Sequence, residues 1–188
     1  MEKFDRITKA MVEHSLIHLR QLVFEVTDAC NLRCKYCAYA DLYEGYDERR
    51  NSNFSFHRAK LVIDYMYNYW SKNYSEEYKH PVRISFYGGE PTLNMPFIRE
   101  VINYIESLPP IGCSFSYNMT TNAMLLDRYM DYFVEKSFDL LISLDGDEIG
   151  QSYRVDHQEH NSFDRVIKNV KLLRDTYPGY FNIHVLFN

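Results

Sequence analysis

Short apolar runs alternate with longer amphipathic stretches along this chain. The apolar runs predict five strands, over residues 22–26, 82–87, 114–119, 140–144 and 181–187. The longer stretches repeat apolar residues every three or four positions and predict helices over 56–72, 95–108, 126–136 and 163–175. Strands that alternate with helices of this length are typical of an α/β fold, in which helices cover the outer face of a parallel sheet.

A looser helical spacing precedes the first strand. We expect residues 1–20 to form an N-terminal helical segment and residues 21–188 to form one domain, since a chain of 188 residues has room for one sizeable core. The N-terminus lacks the continuous apolar region of a signal peptide, and no run approaches the roughly 18 apolar residues of a membrane span. We therefore expect a cytoplasmic protein with no membrane partner.

Charge excludes one further class of partner. The net charge is −5 and no long basic run is present, whereas a nucleic-acid-binding protein would need a basic face. We therefore expect no nucleic-acid partner. The most polar segment, residues 41–53, is predicted to be an exposed loop.

Three of the four cysteines follow the first strand directly. Cys30, Cys34 and Cys37 have the spacing C-x-x-x-C-x-x-C, and clustered thiols in a reducing cytoplasm favour metal binding over disulfides. A structural zinc site would need a fourth ligand nearby, and the first histidine after the cysteines is His57. Three thiolates on one short loop suit three corners of a 4Fe-4S cluster and leave the fourth iron open. Cys113 has no partner and is predicted to be a small buried apolar residue.

Unusual turns follow the next three strands. They are Gly88-Gly89-Glu90-Pro91, Thr120-Thr121-Asn122 and Asp145-Gly146. Right-handed crossovers bring the carboxyl ends of parallel strands to one rim, so these turns and the cysteines should converge there. Gly88 and Gly89 lack Cβ, which lets a ligand approach the backbone and allows unusual φ values. Ser143 alternates with two apolar neighbours and so points to the opposite face of its strand.

These motifs together resemble those of a known family. The three cysteines with Tyr36 before the third, followed one strand later by Gly-Gly-Glu-Pro, resemble the radical S-adenosylmethionine superfamily. Asn122, the Ser-Leu-Asp-Gly run from Ser143 and the Tyr-Arg pair at Arg154 resemble the SPASM-type branch of peptide maturases and anaerobic sulfatase-maturating enzymes. The family usually has Thr-Asn-Gly where this chain has Ala123 after Asn122. The resemblance implies a partial (β/α)6 barrel of parallel strands, here truncated after the fifth strand.

The resemblance also implies cofactors and their ligands. A 4Fe-4S cluster would be held by Cys30, Cys34 and Cys37, with S-adenosyl-L-methionine on the open iron. The residues implied to contact or shape the cofactor site are Tyr36, Gly88, Gly89, Glu90, Asn122, Ser143 and Arg154. Of these, Ser143 and Arg154 would contact the ligand carboxylate. The alternative is that Ser143 is an ordinary strand serine and Arg154 a solvated loop arginine.

The implied activity is reductive cleavage of S-adenosylmethionine to a 5′-deoxyadenosyl radical that abstracts hydrogen from a substrate. A ribosomally synthesised peptide or protein is the expected substrate, and flavodoxin or ferredoxin the expected electron donor. One alternative is a related enzyme that acts on a small molecule in cofactor biosynthesis. Another is a truncated, inactive module that binds an iron–sulfur cluster or a peptide. The catalytic residues that act on the substrate are not identified by the sequence.

Overall fold

Parallel strands form the centre of this protein. The structure, a computed structural model, describes residues 6–39, 49–73 and 81–188. Within these ranges the strands are β1 (Gln21–Thr27), β2 (Val82–Gly88), β3 (Phe115–Thr121), β4 (Asp139–Ile142) and β5 (Val185–Phe187). They lie side by side in chain order, each parallel to its neighbour. The expected α/β fold, a partial barrel of parallel strands, is confirmed.

Helices connect these strands. They are α1 (Lys9–Ile17), α2 (Phe56–Asn73), α3 (Met95–Ser107), α4 (Leu126–Glu135), α5 (Phe163–Thr176) and α6 (Pro178–His184), with 3₁₀ turns at Pro91–Asn94 and Gly150–Tyr153. Helices α2 to α5 agree with the predicted ranges to within one residue at each end. The N-terminal helix α1 is shorter than its apolar spacing predicted, and none of its residues is buried. Residues 41–48 of the predicted exposed loop lie outside the described part of the chain.

The predicted strand over residues 181–187 is wrong for its first four positions. These positions belong to α6, and only Val185–Phe187 pair with β4. Pro178 stands in the first turn of α6, where a missing N–H costs nothing, and the Phe181 N–H donates to the Tyr177 carbonyl at 2.9 Å. A short apolar run has no periodicity that separates a strand from a helix, and this run contains both.

One face of the sheet forms the core with the helices. Phe24, Phe86, Met119, Leu140 and Val185 are paired across neighbouring strands and are all at most 9% exposed. They belong to one continuous cluster with buried residues of α2 to α5. Burial of these side chains fixes the register, because a shift by one residue would turn the whole row to the other face.

The opposite face of the sheet is polar. Gln21 Nε2 donates to Ser85 Oγ at 2.7 Å, and the Ser85 hydroxyl donates to Asn118 Oδ1, so one row of hydrogen bonds crosses β1, β2 and β3. The sheet therefore separates an apolar helical side from a side suited to polar ligands. Over residues 6–39, 49–73 and 81–188, none of the helices has the length and hydropathy to cross a lipid bilayer.

Candidate functional site

A cavity of about 430 Å³ lies at the carboxyl ends of β1 to β4. All ten site residues predicted from the sequence line this cavity: Cys30, Cys34, Tyr36, Cys37, Gly88, Gly89, Glu90, Asn122, Ser143 and Arg154. The structure thus brings together residues that are widely separated in the chain, as expected for a parallel sheet whose strand ends share one rim. Their individual roles remain predictions.

Further residues line the cavity that the sequence did not single out. They are Leu32, Ala38, Tyr39, Arg49, Tyr87, Leu141 and Asn188. Thr120 and Thr121, which the sequence marked as part of an unusual turn, also line the cavity, and the structure places them as the last two residues of β3. Arg49 lies in an irregular segment without periodicity, and nothing in the sequence pattern marked it.

The loop that carries the cysteines is held by a distant segment. The Arg33 N–H donates to the Val155 carbonyl at 2.7 Å, and the Lys35 N–H donates to the Tyr153 carbonyl at 2.9 Å. Two backbone hydrogen bonds across such a separation tie the cysteine loop to the connection that follows β4. The cysteine loop is therefore fixed to the rim of the sheet by backbone hydrogen bonds.

Hydrogen-bond donors surround two of the thiols. Cys30 Sγ accepts from the Leu32 N–H at 3.4 Å and from Asn122 Nδ2 at 3.7 Å. Cys37 Sγ accepts from Arg49 Nη2 at 3.0 Å. Donors of this kind stabilise thiolates and raise the reduction potential of an iron–sulfur cluster bound through them.

The three thiols fit an iron–sulfur cluster. Cys30, Cys34 and Cys37 are free and partly buried. Within the described ranges, no three Cys, His, Asp or Glu side chains converge to hold one metal ion. In a cubane cluster, each protein thiolate binds a different iron, so the three thiolates do not converge on a single point. Burial raises the pKa of Cys34 to about 11, with the Arg154 guanidinium opposing this effect, and ligation of a metal would favour its thiolate.

The turn after β2 packs directly on the start of the cysteine loop. Gly88 has φ of +134°, and a Cβ there would lie 2.3 Å from the Thr27 carbonyl oxygen. A Cβ on Gly89 would lie 2.1 Å from the Ala29 carbonyl oxygen. Backbone packing against β1 and the loop after it therefore requires glycine at both positions, and the expected ligand contact stays a prediction.

Glu90 joins two turns of the rim. Its carboxylate accepts hydrogen bonds from Thr92 N at 3.2 Å, Thr92 Oγ1 at 2.6 Å, Thr121 Oγ1 at 2.7 Å and Asn122 N at 2.8 Å. The residue is 1% exposed. Burial raises the pKa of Glu90, and the four hydrogen bonds oppose that effect. Glu90 thus connects the turn after β2 to the end of β3, where Asn122 borders the cavity.

Ala123 takes the conformation that glycine would favour. Its φ is 58°, in the left-handed region, and the residue is fully buried. An L-residue pays about 1 kcal/mol for this conformation. Asn169 of α5 holds the turn by donating from Nδ2 to the Ala123 carbonyl at 2.8 Å and to the Met124 carbonyl at 3.2 Å. The turn therefore keeps a left-handed conformation although alanine stands at position 123 in place of glycine.

Arg154 is an ion-paired, mostly buried residue. Its side chain is 14% exposed, so the alternative of a solvated loop arginine is wrong. Nη2 donates to Asp145 Oδ1 at 2.8 Å, while the buried Nε has no hydrogen-bond partner among the described residues. Ser143 is 8% exposed and borders the same cavity. Arg154 borders this cavity, and a guanidinium with five N–H donors suits a carboxylate ligand.

The chain belongs to the radical SAM superfamily, whose sequence model matches residues 24–188. Members of this superfamily use a 4Fe-4S cluster and S-adenosylmethionine, the cofactors expected from the sequence. The chain is 29% identical over 173 residues to a cysteine-type anaerobic sulfatase-maturating enzyme of Clostridium novyi, covering 90% of this chain and 44% of that protein. It is 28% identical over 169 residues to a GTP 3′,8-cyclase of Synechocystis sp., covering 88% of this chain and 45% of that protein.

Solved structures show the same fold. Native anSMEcpe with bound AdoMet gives a TM-score of 0.70 at 20% identity, over 89% of this chain and 42% of that chain. The same protein with bound AdoMet and the Cp18Cys peptide gives a TM-score of 0.66 at 20% identity, over 89% of this chain and 41% of that chain. The chain thus spans less than half the length of these relatives.

Proposed function

We propose that this chain binds a 4Fe-4S cluster through Cys30, Cys34 and Cys37 and binds S-adenosylmethionine at the remaining iron. The observation that carries the proposal is the common cavity, which is bordered by the three cysteines and by Arg154. When bound, the two cofactors supply a 5′-deoxyadenosyl radical by reductive cleavage of a sulfonium C–S bond.

The chain's own residues bind and orient the ligand. Arg154 and Ser143 receive the ligand carboxylate, since a guanidinium offers a fork of donors that matches this group. The backbone of Gly88 and Gly89 accepts hydrogen bonds from the ligand amino group, and Glu90 keeps that turn in place. Asn122 and Tyr36 border the cavity beside the cysteine loop.

The proposed substrate is a peptide or protein, from which the radical abstracts hydrogen. The similarity to a sulfatase-maturating enzyme and to a structure solved with a bound peptide supports this class of substrate. A flavodoxin or ferredoxin would donate the electron in the cytoplasm. A ribosomally synthesised substrate is part of the same proposal.

A small molecule is the second candidate substrate. The similarity to a GTP 3′,8-cyclase covers nearly the same part of the chain. Formation of 5′-deoxyadenosine that increases with a thiol-containing peptide and not with GTP would favour the maturase, and the reverse would favour the small-molecule enzyme.

One assay separates these enzymes from an inactive module. Anaerobically reconstituted protein, incubated with dithionite and S-adenosylmethionine, should yield 5′-deoxyadenosine detectable by mass spectrometry. Cys34→Ala should lose both the visible absorption of the cluster and the product. Cys113→Ala is the matched control and should keep both, because Cys113 lies outside the cavity. A cluster-loaded wild-type protein that yields no 5′-deoxyadenosine would contradict the proposed activity.

A further inference from the structure

We infer that Asp145 is a positioning residue, whose carboxylate holds the Arg154 guanidinium and the Tyr36 ring in one arrangement that is ready for the carboxylate of the ligand. The inference rests on the proposed function, because it assigns the ligand carboxylate to Arg154. It adds a residue to the site that lines no part of the cavity itself and acts through two residues that do.

The carboxylate of Asp145 bridges two sides of the cavity. Oδ1 accepts a hydrogen bond from Arg154 Nη2 at 2.8 Å, and Oδ2 accepts one from the Tyr36 hydroxyl at 2.6 Å. The Arg154 guanidinium carbon lies 5.3 Å from the centre of the Tyr36 ring. The three groups therefore contact one another in a closed triangle, in which no member can rotate without breaking a contact.

Asp145 is itself fixed by the backbone around it. Its N–H donates to Gln151 Oε1 at 2.8 Å, and the fully buried Gln151 donates from Nε2 to Ser162 Oγ at 3.1 Å. The Arg154 N–H donates to the Gln151 carbonyl at 2.8 Å. A Cβ on Gly150 would lie 2.2 Å from the Asp145 carbonyl oxygen, so the two segments pack closely. Both partners of the ion pair are thus anchored to the same residue, Gln151.

The hydrogen bonds leave Arg154 able to bind a second carboxylate. Asp145 takes one hydrogen bond from the guanidinium, from Nη2, and the buried Nε has no partner in the part of the chain that the structure describes. A guanidinium carries five N–H donors in a planar fork, so one edge can face Asp145 while others face a ligand. Fixing this long side chain before the ligand arrives removes an entropic cost from binding.

Tyr36 connects this arrangement to the cluster loop. It stands between Cys34 and Cys37, and its hydroxyl is held by Asp145. Asp145 thus links the loop that carries the thiols to the arginine that would receive the ligand. The Ser-Leu-Asp-Gly run marked this aspartate in the sequence, but only the structure gives it two partners.

The test compares two ligands that differ by one carboxylate. Binding of S-adenosylmethionine and of its decarboxylated analogue is measured by equilibrium dialysis on reconstituted wild-type protein and on the Asp145→Ala and Asp145→Asn variants. Asp145→Ala should weaken binding of S-adenosylmethionine about tenfold, as expected for loss of support to a charged hydrogen bond, and should leave binding of the analogue nearly unchanged. Asp145→Asn keeps one oxygen that can accept from either Arg154 or Tyr36, so its loss of affinity for S-adenosylmethionine should be intermediate.

Glu148→Ala is the matched control, since this nearby carboxylate is exposed and lines no part of the cavity. Equal loss for both ligands would assign Asp145 a merely structural role and overturn the inference. Tighter binding of S-adenosylmethionine by Asp145→Asn would mean that Asp145 competes with the ligand for Arg154, which would also overturn it. Failure of the wild-type protein to bind S-adenosylmethionine at all would instead remove the proposed function and, with it, the inference.

Discussion

At the scale of single residues, the cavity is bordered by polar side chains, some of which are buried and hydrogen-bonded. Glu90 is the best case, because its carboxylate accepts four hydrogen bonds from groups on two different turns. A buried acceptor of this kind contributes to stability mainly because its donors would otherwise lose their partners. Substitution of Glu90 should therefore lower the stability of the protein even without a ligand.

Glu90→Gln should destabilise the protein by about 2 kcal/mol. The glutamine side chain presents an NH2 group to a site where only donors point inward, so at least one buried N–H or O–H is left unpaired. Urea denaturation measures the change in free energy of unfolding. Glu100→Gln, at an exposed position of α3, is the matched control and should change little. Equal stability of the two variants would contradict the role given to Glu90.

Arg49→Gln should lower the reduction potential of the bound cluster. Arg49 Nη2 lies 3.0 Å from Cys37 Sγ, and removal of a positive charge beside a ligating sulfur disfavours the added electron. An anaerobic redox titration followed by electron paramagnetic resonance measures the midpoint. Arg50→Gln is the control, because Arg50 borders a different cavity of the described structure. Identical midpoint potentials for Arg49→Gln and wild type would show that this contact does not affect the reduction potential of the cluster.

At the scale of elements, turns pack against turns. The Gly88-Gly89 turn lies so close to the end of β1 that side chains are excluded, and Glu90 N–H donates to the Ala29 carbonyl at 2.8 Å. The position of the cysteine loop therefore depends on a turn about sixty residues further along the chain.

Gly89→Ala should destabilise the protein by roughly 1–3 kcal/mol, the range for forcing extra atoms into a packed region. The added Cβ would meet the Ala29 carbonyl oxygen at 2.1 Å, so the backbone that enters the cysteine loop has to shift. Thermal and urea denaturation measure the loss. Gly179→Ala is the matched control, since a Cβ there meets nothing within 4 Å and alanine favours the helix α6. A Gly89→Ala protein as stable as Gly179→Ala would refute this account of the turn.

Elements with clear periodicity were predictable from the sequence, and short apolar ones were not. Helices α2 to α5 are 10 to 18 residues long and repeat apolar residues on one face, and their ends fall close to the predicted positions. The run from Phe181 to Phe187 is seven residues long, too short to distinguish helix from strand, and its division between α6 and β5 depends on tertiary contacts. One such contact is the Tyr180 hydroxyl, which donates to the Phe138 carbonyl at 2.5 Å.

At the scale of the whole molecule, the order of the strands determines the site. Because all neighbours are parallel, four strand ends meet at one rim, and motifs recognised separately in the sequence line one cavity. The topology made that convergence predictable. The position of Arg49 and the pairing of Asp145 with Tyr36 and Arg154 were not predictable, because these residues lie on irregular segments whose paths follow from packing and not from a repeating pattern.

The central claim is that three thiols hold a cluster with one iron open to S-adenosylmethionine. The most direct measurement is the electron paramagnetic resonance spectrum of anaerobically reconstituted, reduced protein, recorded with and without S-adenosylmethionine. The account predicts a cluster signal whose g-values shift when S-adenosylmethionine is added, and no such signal in Cys34→Ala. A protein that assembles no cluster, or a cluster signal that S-adenosylmethionine leaves unchanged, would contradict it.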